Sequence, residues 1–150
     1  MIGEFEHYHG AAIRELIVSS GCSLKIEVCD DIGRVNTYRI NDAIGMHIKH
    51  SSKRLPPWQF TYPEDNLAEI QRLVEQCRNV WLVHVCGQDG IVALSYKEFC
   101  SVNPQGAETT SFIRVDRDRN TMYRVYGTGG KLSRAKRRGL DYVLDELRVK

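Results

Sequence analysis

The chain has 150 residues, 42% of them hydrophobic and 27% charged, a composition typical of one globular domain and unlike that of disordered or fibrous proteins. The formal net charge of +2 is small, but the basic residues are concentrated in two clusters. Five scattered cysteines without C-x-x-C spacing argue against a disulfide framework and a zinc knuckle, so we interpret them as free thiols.

No targeting or membrane segment is predicted. The longest apolar runs, such as residues 80–86, are too short to span a bilayer, and the first ten residues lack the pattern of a signal peptide. We therefore expect a cytoplasmic protein without a membrane partner.

The first half of the chain predicts a helix followed by three strands. Apolar residues recur at three- and four-residue steps over residues 4–19, as on a helix with one buried face. Alternating patterns predict strands over residues 24–28, 35–40 and 43–50, separated by turn residues around Gly33 and at Asn41-Asp42. Short turns between successive strands favour an antiparallel meander.

The second half begins with a predicted helix that starts after Pro63 and ends by Asn79. The apolar run 80–86 predicts a strand buried on both faces, which joins the middle of the sheet through a crossover. A short strand follows at 91–95, and a hairpin is predicted from 110–115 and 122–126. Residues 127–150 predict a mobile basic helical tail within a single domain, 1–150.

These elements define the expected fold class. We predict an α/β (α+β) protein with a central mixed sheet of about five to seven strands, flanked by helices.

Strand alternation places His47 and Lys49 on the same face of the third strand. Such a pair can bind phosphate or activate water, although a solvated strand face explains a lysine equally simply and is the commoner case. The five histidines show no metal-binding motif, so spacing alone assigns no metal site.

The aromatic residues Trp58, Phe60 and Tyr62 alternate and share one face of an extended segment. They could stack on nucleobases, form a homo-oligomer interface, or fill the core beneath the following helix. Core packing is the interpretation we favour, because aromatic residues at strand spacing are usually buried.

The two basic clusters are candidate contacts for the phosphates of DNA or RNA. The nucleic-acid-binding residues predicted from them are Lys49, Lys53, Arg54, Arg134, Lys136, Arg137 and Arg138.

The order of elements resembles the PD-(D/E)xK restriction-endonuclease-like superfamily. An initial helix, a three-strand meander with I-x-K on its third strand, then a helix and a buried strand carry this resemblance over residues 4–95. The run 47–60, HIKHSSKRLPPWQF, is similar to the segment after the catalytic lysine in several small members. The resemblance implies a restriction-endonuclease-like fold and a divalent metal, held by acids from the second and third strands, that activates water.

Residue by residue, Lys49 matches the family's lysine, whereas His47 stands in place of the acid and Asn36 near the expected aspartate. Both departures weaken Mg²⁺ binding, because this hard ion prefers carboxylate oxygens. Asp31 or Asp42 could substitute from the adjoining turns, and a first-helix glutamate could contribute. These glutamates are Glu4, Glu6 and Glu15.

Three hypotheses of function follow. The chain is a nucleic-acid-binding protein on a nuclease-like scaffold without a complete metal site and needs no cofactor for binding. Alternatively, it is an active Mg²⁺-dependent endonuclease that uses Lys49 and His47 with Asp31 or Asp42 and a first-helix glutamate, for which Glu15 is the candidate. The third hypothesis is a protein-interaction domain or homo-oligomer without a nucleic-acid role.

Overall fold

The computed structural model describes residues 1–104 and 110–148. Its four helices are α1 (Glu4–Ser20), α2 (Glu64–Gln76), α3 (Tyr96–Val102) and α4 (Asp141–Arg148). The strands are β1 (Ile26–Val28), β2 (Thr37–Ile40), β3 (Ile44–Ser51), β4 (Trp58–Tyr62), β5 (Asn79–Cys86), β6 (Gly90–Ser95), β7 (Ser111–Asp116), β8 (Arg124–Gly127) and β9 (Gly130–Lys131). The α+β class predicted from the sequence is confirmed.

A mixed five-strand sheet has the strand order β1-β2-β3-β5-β6. The antiparallel meander β1-β2-β3 is confirmed, and its second turn places Asn41 and Asp42 at φ values of 52° and 56°. Asn and Asp tolerate this left-handed region better than other non-glycine residues, which favours the tight reversal. After the crossover through α2, β5 pairs parallel to β3 and lies between it and β6, as the apolar run predicted.

A second, four-strand sheet was not predicted as a separate layer. Its order is β4-β7-β8-β9, all antiparallel, and it includes the predicted last hairpin as β7 and β8. Trp58, Phe60 and Tyr62 on β4 are 0%, 2% and 0% exposed, which confirms core packing for the aromatic row. Hydrophobic burial of three such side chains stabilises the fold by roughly 1.5–3 kcal/mol each.

The five-strand sheet separates two hydrophobic layers. On one face, Met46 and Ile48 of β3 pack with α1 and α4. On the other face, Leu82 of β5 packs with α2, α3 and the second sheet. The two faces therefore have different neighbours, and the side of β3 on which a residue lies decides its surroundings.

Two features of the second half correct the sequence prediction. The region after β6 contains α3, whose first turn is capped by the Ser95 side chain and Glu98. The predicted basic helical tail is helical only from Asp141 onward, and the basic stretch before it forms β9 and a bridge between Tyr123 and Lys136. Residues 149 and 150 lie outside the described residues.

The described part of this segment belongs to the packed structure. Leu132 is 6% exposed, and the two α4 residues Val143 and Leu144 are 0% and 1% exposed. Among the described residues, no helix combines the length and the apolar character that crossing a bilayer requires.

Candidate functional site

His47 and Lys49 share the face of β3 that is turned toward α2 and the second sheet. Their neighbours Met46 and Ile48 belong to the opposite layer, as the strand period requires. His47 contacts Glu69 of α2, and Lys49 contacts Asn66 one turn earlier on the same helix. The predicted pair therefore faces the interior and is covered by a helix.

The His47 ring is 0% exposed, and its Nε2 atom lies 3.1 Å from Oε1 of Glu69. Burial lowers the pKa of His47, although the hydrogen bond and charge of Glu69 act in the opposite direction. The hydrogen bond with His47 in turn lowers the pKa of Glu69. Gly33 leaves room for this carboxylate, because a methyl group there would collide with it.

Lys49 has its own set of partners beside this pair. Its Nζ atom donates to the backbone oxygen of Thr61 and, at 2.6 Å, to Oδ1 of Asn66. It also lies 4.9 Å from the centre of the Tyr62 ring. Burial lowers the pKa of Lys49, whereas the charges of Asp65 and Glu69 raise it.

A second buried histidine extends the polar network. The Tyr62 hydroxyl lies 2.6 Å from Nε2 of His84, and Nδ1 of His84 lies 3.3 Å from the Val92 carbonyl. Because a carbonyl only accepts, Nδ1–H donates to it and Nε2 accepts from Tyr62. Burial lowers the pKa of His84 to about 3, so the ring is neutral near pH 7. His84 is therefore a core histidine with both ring nitrogens hydrogen-bonded.

Asn36, near the position of the family's aspartate, has a structural contact. Its side-chain Nδ2 atom donates to the Ile48 carbonyl at 2.8 Å, and its backbone carbonyl accepts from the backbone amide of Ile48. Asn36 therefore continues the pairing of β3 beyond the first residue of β2.

The structure does not bring the proposed acids together beside Lys49. Asp42 pairs with Lys25 at 3.0 Å, and Asp31 is exposed in the turn after β1. Glu15 belongs to α1, which packs on the opposite face of the sheet. The carboxylates whose charges act on Lys49 are instead Asp65 and Glu69.

The sequence interpretation missed both of these acids. They are four residues apart on α2, the spacing that places two side chains on one face of a helix. That spacing was the available signal, but the face of the sheet on which α2 packs could not be derived from it.

The side chains around Lys49 do not fit a Mg²⁺ ion. The Oε1 atom of Glu69 already accepts from His47 and, at 3.1 Å, from Asn66, and the Oδ1 atom of Asn66 accepts from Lys49. Asp65 is the second carboxylate near Lys49, and the two carboxylates share this region with an imidazole and an ammonium. Within residues 1–104 and 110–148, no group of three or more His, Cys, Asp or Glu side chains is arranged to hold a metal ion. Mg²⁺ prefers several oxygen ligands in octahedral geometry.

Comparison with protein-family models, curated proteins and solved structures finds no significant match to this chain.

The predicted phosphate-binding residues of the carboxy-terminal cluster differ in accessibility. The ammonium of Lys136 lies 2.9 Å from Glu98 and 4.5 Å from the Tyr142 ring centre, so its charge is paired within the protein. Arg137 pairs with Asp141 at 3.1 Å but is 59% exposed, and Arg134 and Arg138 are exposed as well. Three of these four cations are thus exposed at the surface.

Lys53 and Arg54 are exposed in the loop between β3 and β4. The loop is held from two sides, since Nε1 of Trp58 donates to the Lys53 carbonyl at 2.8 Å and Lys53 Nζ donates to the Pro57 carbonyl at 3.0 Å. Lys49, by contrast, donates its hydrogen bonds to Thr61 and Asn66 within the protein.

One residue from each basic cluster approaches the turn between β5 and β6. At its start, Gly87 has a φ of 53° and lies against the Lys53 carbonyl so closely that a side chain would collide with it. At its end, Gly90 lies in the same way against the aliphatic part of Arg138. Arg117, absent from the predicted set, reaches the same turn and pairs with Asp89 at 2.8 Å.

We call this region the basic turn surface; it comprises Lys53, Arg54, Arg117 and Arg138. Asp89 is its acidic member: it pairs with Arg117 and accepts from the Tyr123 hydroxyl at 2.6 Å. The Asp89 carbonyl lies 3.4 Å from Nη1 of Arg138. Of these four cations, Arg117 is paired with the Asp89 carboxylate, and Lys53, Arg54 and Arg138 are exposed.

Proposed function

We propose that this protein binds nucleic acid through the basic turn surface, on a nuclease-like scaffold without a complete metal site. The observation that carries the proposal is that the Lys53 backbone and the Arg138 side chain, 85 positions apart in the chain, lie against Gly87 and Gly90 at the two ends of the β5–β6 turn. A cluster of cations on one surface attracts a polyanion more strongly than the same charges dispersed.

The arrangement of Arg134 and Arg137 supports an extended contact. Both are exposed and lie in the segment that leads to Arg138, so the positive surface continues from the turn along this segment. Successive cations along a path suit the regularly spaced phosphates of a nucleic-acid backbone.

The scaffold part of the proposal has a separate support. The described order of α1, an antiparallel meander, α2 and a parallel β5 follows the order on which the resemblance to the restriction-endonuclease-like superfamily rests, with β4 of the second sheet added before α2. Among the residues that the structure describes, the donor atoms around Lys49 do not form the oxygen set that Mg²⁺ prefers, which favours binding over metal-dependent cleavage.

Salt-dependent binding tests the proposal. Fluorescence anisotropy with labelled single-stranded DNA, duplex DNA and RNA, measured from 50 to 200 mM KCl, should show affinity that falls as salt rises. The double variant Lys53→Ala/Arg54→Ala and the single variant Arg138→Ala should each weaken binding and reduce the slope of log affinity against log salt by about 1 per lost phosphate contact.

Arg72→Ala is the matched control, because Arg72 is exposed on α2 and lies outside the basic turn surface. It should leave both affinity and slope nearly unchanged. Absence of binding at 50 mM salt, or equal effects of the control and the surface variants, would contradict the proposal.

An incubation with plasmid and Mg²⁺ or Mn²⁺ tests the absence of a metal site. We expect no cleavage above that of a mock preparation. Cleavage that disappears in Lys49→Ala would instead establish the active endonuclease, and with it a metal site beside this lysine.

A further inference from the structure

A cleft of about 680 Å³ opens on the other side of the basic turn surface, between α1 and the β5–β6 turn. One stripe of α1 forms its first wall, and the ends of β5 and β6 form the second. Its volume lies in the range of small-molecule sites, roughly 300–1,000 Å³. The α1 residues in this stripe are Glu4, His7, Tyr8, Ala11 and Glu15.

Side chains of three chemical types line the cleft. Glu4 and Glu15 supply carboxylate oxygens from α1, and Arg138 supplies a guanidinium from the opposite side. Val85 and Ile91 provide an apolar floor. A ligand that fills this cleft therefore combines hydrogen-bond donors, an apolar body and an anionic group.

Tyr8 provides an aromatic wall with a fixed orientation. Its ring stacks on His50 with 4.9 Å between centroids and an interplanar angle of 13°. Oε1 of Glu4 lies 3.5 Å from Nε2 of His50 on the same side. An aromatic side chain held in this way suits a planar ligand, because stacking on it requires little further ordering.

We propose that this cleft binds a guanine nucleotide unit, with its base near Glu15 and Glu4 and its phosphate at Arg138. Ionised carboxylates only accept hydrogen bonds, so they select a base edge made of donors. Guanine presents two adjacent N–H donors on its Watson–Crick edge, whereas the other bases offer at most one donor group there. Arg138 belongs both to the cleft and to the basic turn surface, so a bound strand can place one nucleotide in the cleft.

This inference deepens the proposed function by naming the nucleotide preferred at one end of the nucleic-acid contact, and it partly rests on that function. Glu15 and Arg138, predicted from the sequence for cleavage and for phosphate binding respectively, meet here and not beside Lys49. In this cleft both residues can contact a nucleotide without a metal ion.

Methyl NMR with 5′-GMP, 5′-AMP, 5′-CMP, 5′-UMP and inorganic phosphate tests the cleft directly. GMP should shift the methyl signals of Ala11 and Ile91, with the buried Ile70 on the opposite face as the unshifted reference. Affinity should be highest for GMP. If saturating GMP leaves Ala11 and Ile91 unshifted, the proposal is overturned.

Two variants separate the base contact from the phosphate contact. Glu15→Gln should weaken GMP binding about tenfold, the loss expected for a charge-assisted hydrogen bond, and leave the affinity for inorganic phosphate unchanged. Arg138→Ala should weaken both ligands. Glu75→Gln, on the exposed side of α2, is the control for a lost carboxylate and should change neither.

Different experimental results would overturn the guanine cleft and the proposed nucleic-acid binding. Salt-dependent oligonucleotide binding that is lost in Lys53→Ala/Arg54→Ala, but shows no guanine preference sensitive to Glu15→Gln, overturns the guanine cleft alone. GMP binding at Ala11 without oligonucleotide binding overturns the proposed function and keeps the cleft as a mononucleotide site.

Discussion

The Nε2 atom of the fully buried His47 lies 3.1 Å from Oε1 of Glu69, which joins the middle of β3 to the polar side of α2. The carboxylate accepts a second hydrogen bond from Asn66 at 3.1 Å, and Gly33 leaves space for it beside β2. His47, which the sequence suggested for chemistry together with Lys49, thus helps to fix a helix on the sheet. Its energetic role can be measured separately from any nucleic-acid binding.

We expect Glu69→Ala to lower the free energy of unfolding by about 1–3 kcal/mol, because it leaves the buried Nε2–H of His47 without an acceptor. Urea denaturation followed by circular dichroism measures the change. Glu75→Ala, exposed on the same helix, should cost less than about 0.5 kcal/mol. Equal losses in the two variants would show that the hydrogen bond contributes no net stability.

Buried histidines should make the protein less stable in mild acid. Burial lowers the pKa of His9 to about 4 and that of His84 to about 3. The unfolded chain therefore binds protons below pH 6.5 that the folded protein does not bind. The free energy of unfolding is therefore highest above pH 6.5 and falls as the pH drops from 6.5 to 4. Its slope against pH corresponds to about two protons, one from each of these histidines.

His9→Gln should reduce that slope by about one proton in urea titrations at pH 7, 6 and 5. His7→Gln, two positions earlier on α1, is the control, because His7 is exposed and folding does not bury it. A stability that stays constant from pH 7 to 5 in the unmodified protein would contradict this account of His9 and His84.

Substitutions of Lys49 and Asn66 should lower the free energy of unfolding by different amounts. Lys49→Met removes a partly buried charge and keeps most of the side-chain volume, so the free energy of unfolding should change by less than about 1 kcal/mol. Asn66→Ala removes one hydrogen bond from Lys49 and one from Glu69, which keep their bonds to the Thr61 carbonyl and to His47, and should cost about 2 kcal/mol. Urea denaturation of both single variants and of the double variant measures their coupling, and a larger cost for Lys49→Met would contradict the expected order.

Local patterns predicted much of this fold. The Asn41-Asp42 turn, the apolar run of β5 and the shared face of His47 and Lys49 depend on neighbours within a few residues, which the sequence displays directly. The pairing of β4 with β7 joins segments about fifty residues apart. Strand periodicity shows which face is apolar but does not identify such a distant partner.

The candidate sites were harder to predict for the same reason. Which carboxylate reaches Lys49 depends on how α2 packs across the sheet, and this packing brings in Asp65 and Glu69. The approach of the Lys53 backbone and the Arg138 side chain to one turn depends on close contacts at Gly87 and Gly90. Sequence showed the charges and the glycines but not their distances.

Fluorescence quenching distinguishes core from interface for Trp58. In the variant Trp81→Phe, Trp58 is the remaining tryptophan, and it is 0% exposed and packed 6.3 Å from the Tyr123 ring centre. Acrylamide should quench it weakly at every protein concentration. Quenching that increases on dilution would instead show that Trp58 is covered by a second copy of the chain.

Two glycine substitutions should have opposite effects on stability. Gly10 lies within α1 with open space around its Cα, so Gly10→Ala should stabilise the protein by roughly 0.5–1 kcal/mol through a lower backbone entropy in the unfolded chain. Gly87 has a φ of 53° and contacts the Lys53 carbonyl, so Gly87→Ala adds left-handed strain of roughly 1–2 kcal/mol to a direct collision with backbone.

Because that collision moves the loop carrying Lys53, Gly87→Ala should also weaken nucleic-acid binding more than Gly10→Ala does. Thermal denaturation and anisotropy measured on the same two samples check both effects. If Gly87→Ala lowers stability but leaves oligonucleotide affinity equal to that of Gly10→Ala, the position of Lys53 over the turn does not govern binding. The phosphate contacts would then have to come from Arg134, Arg137 and Arg138 alone.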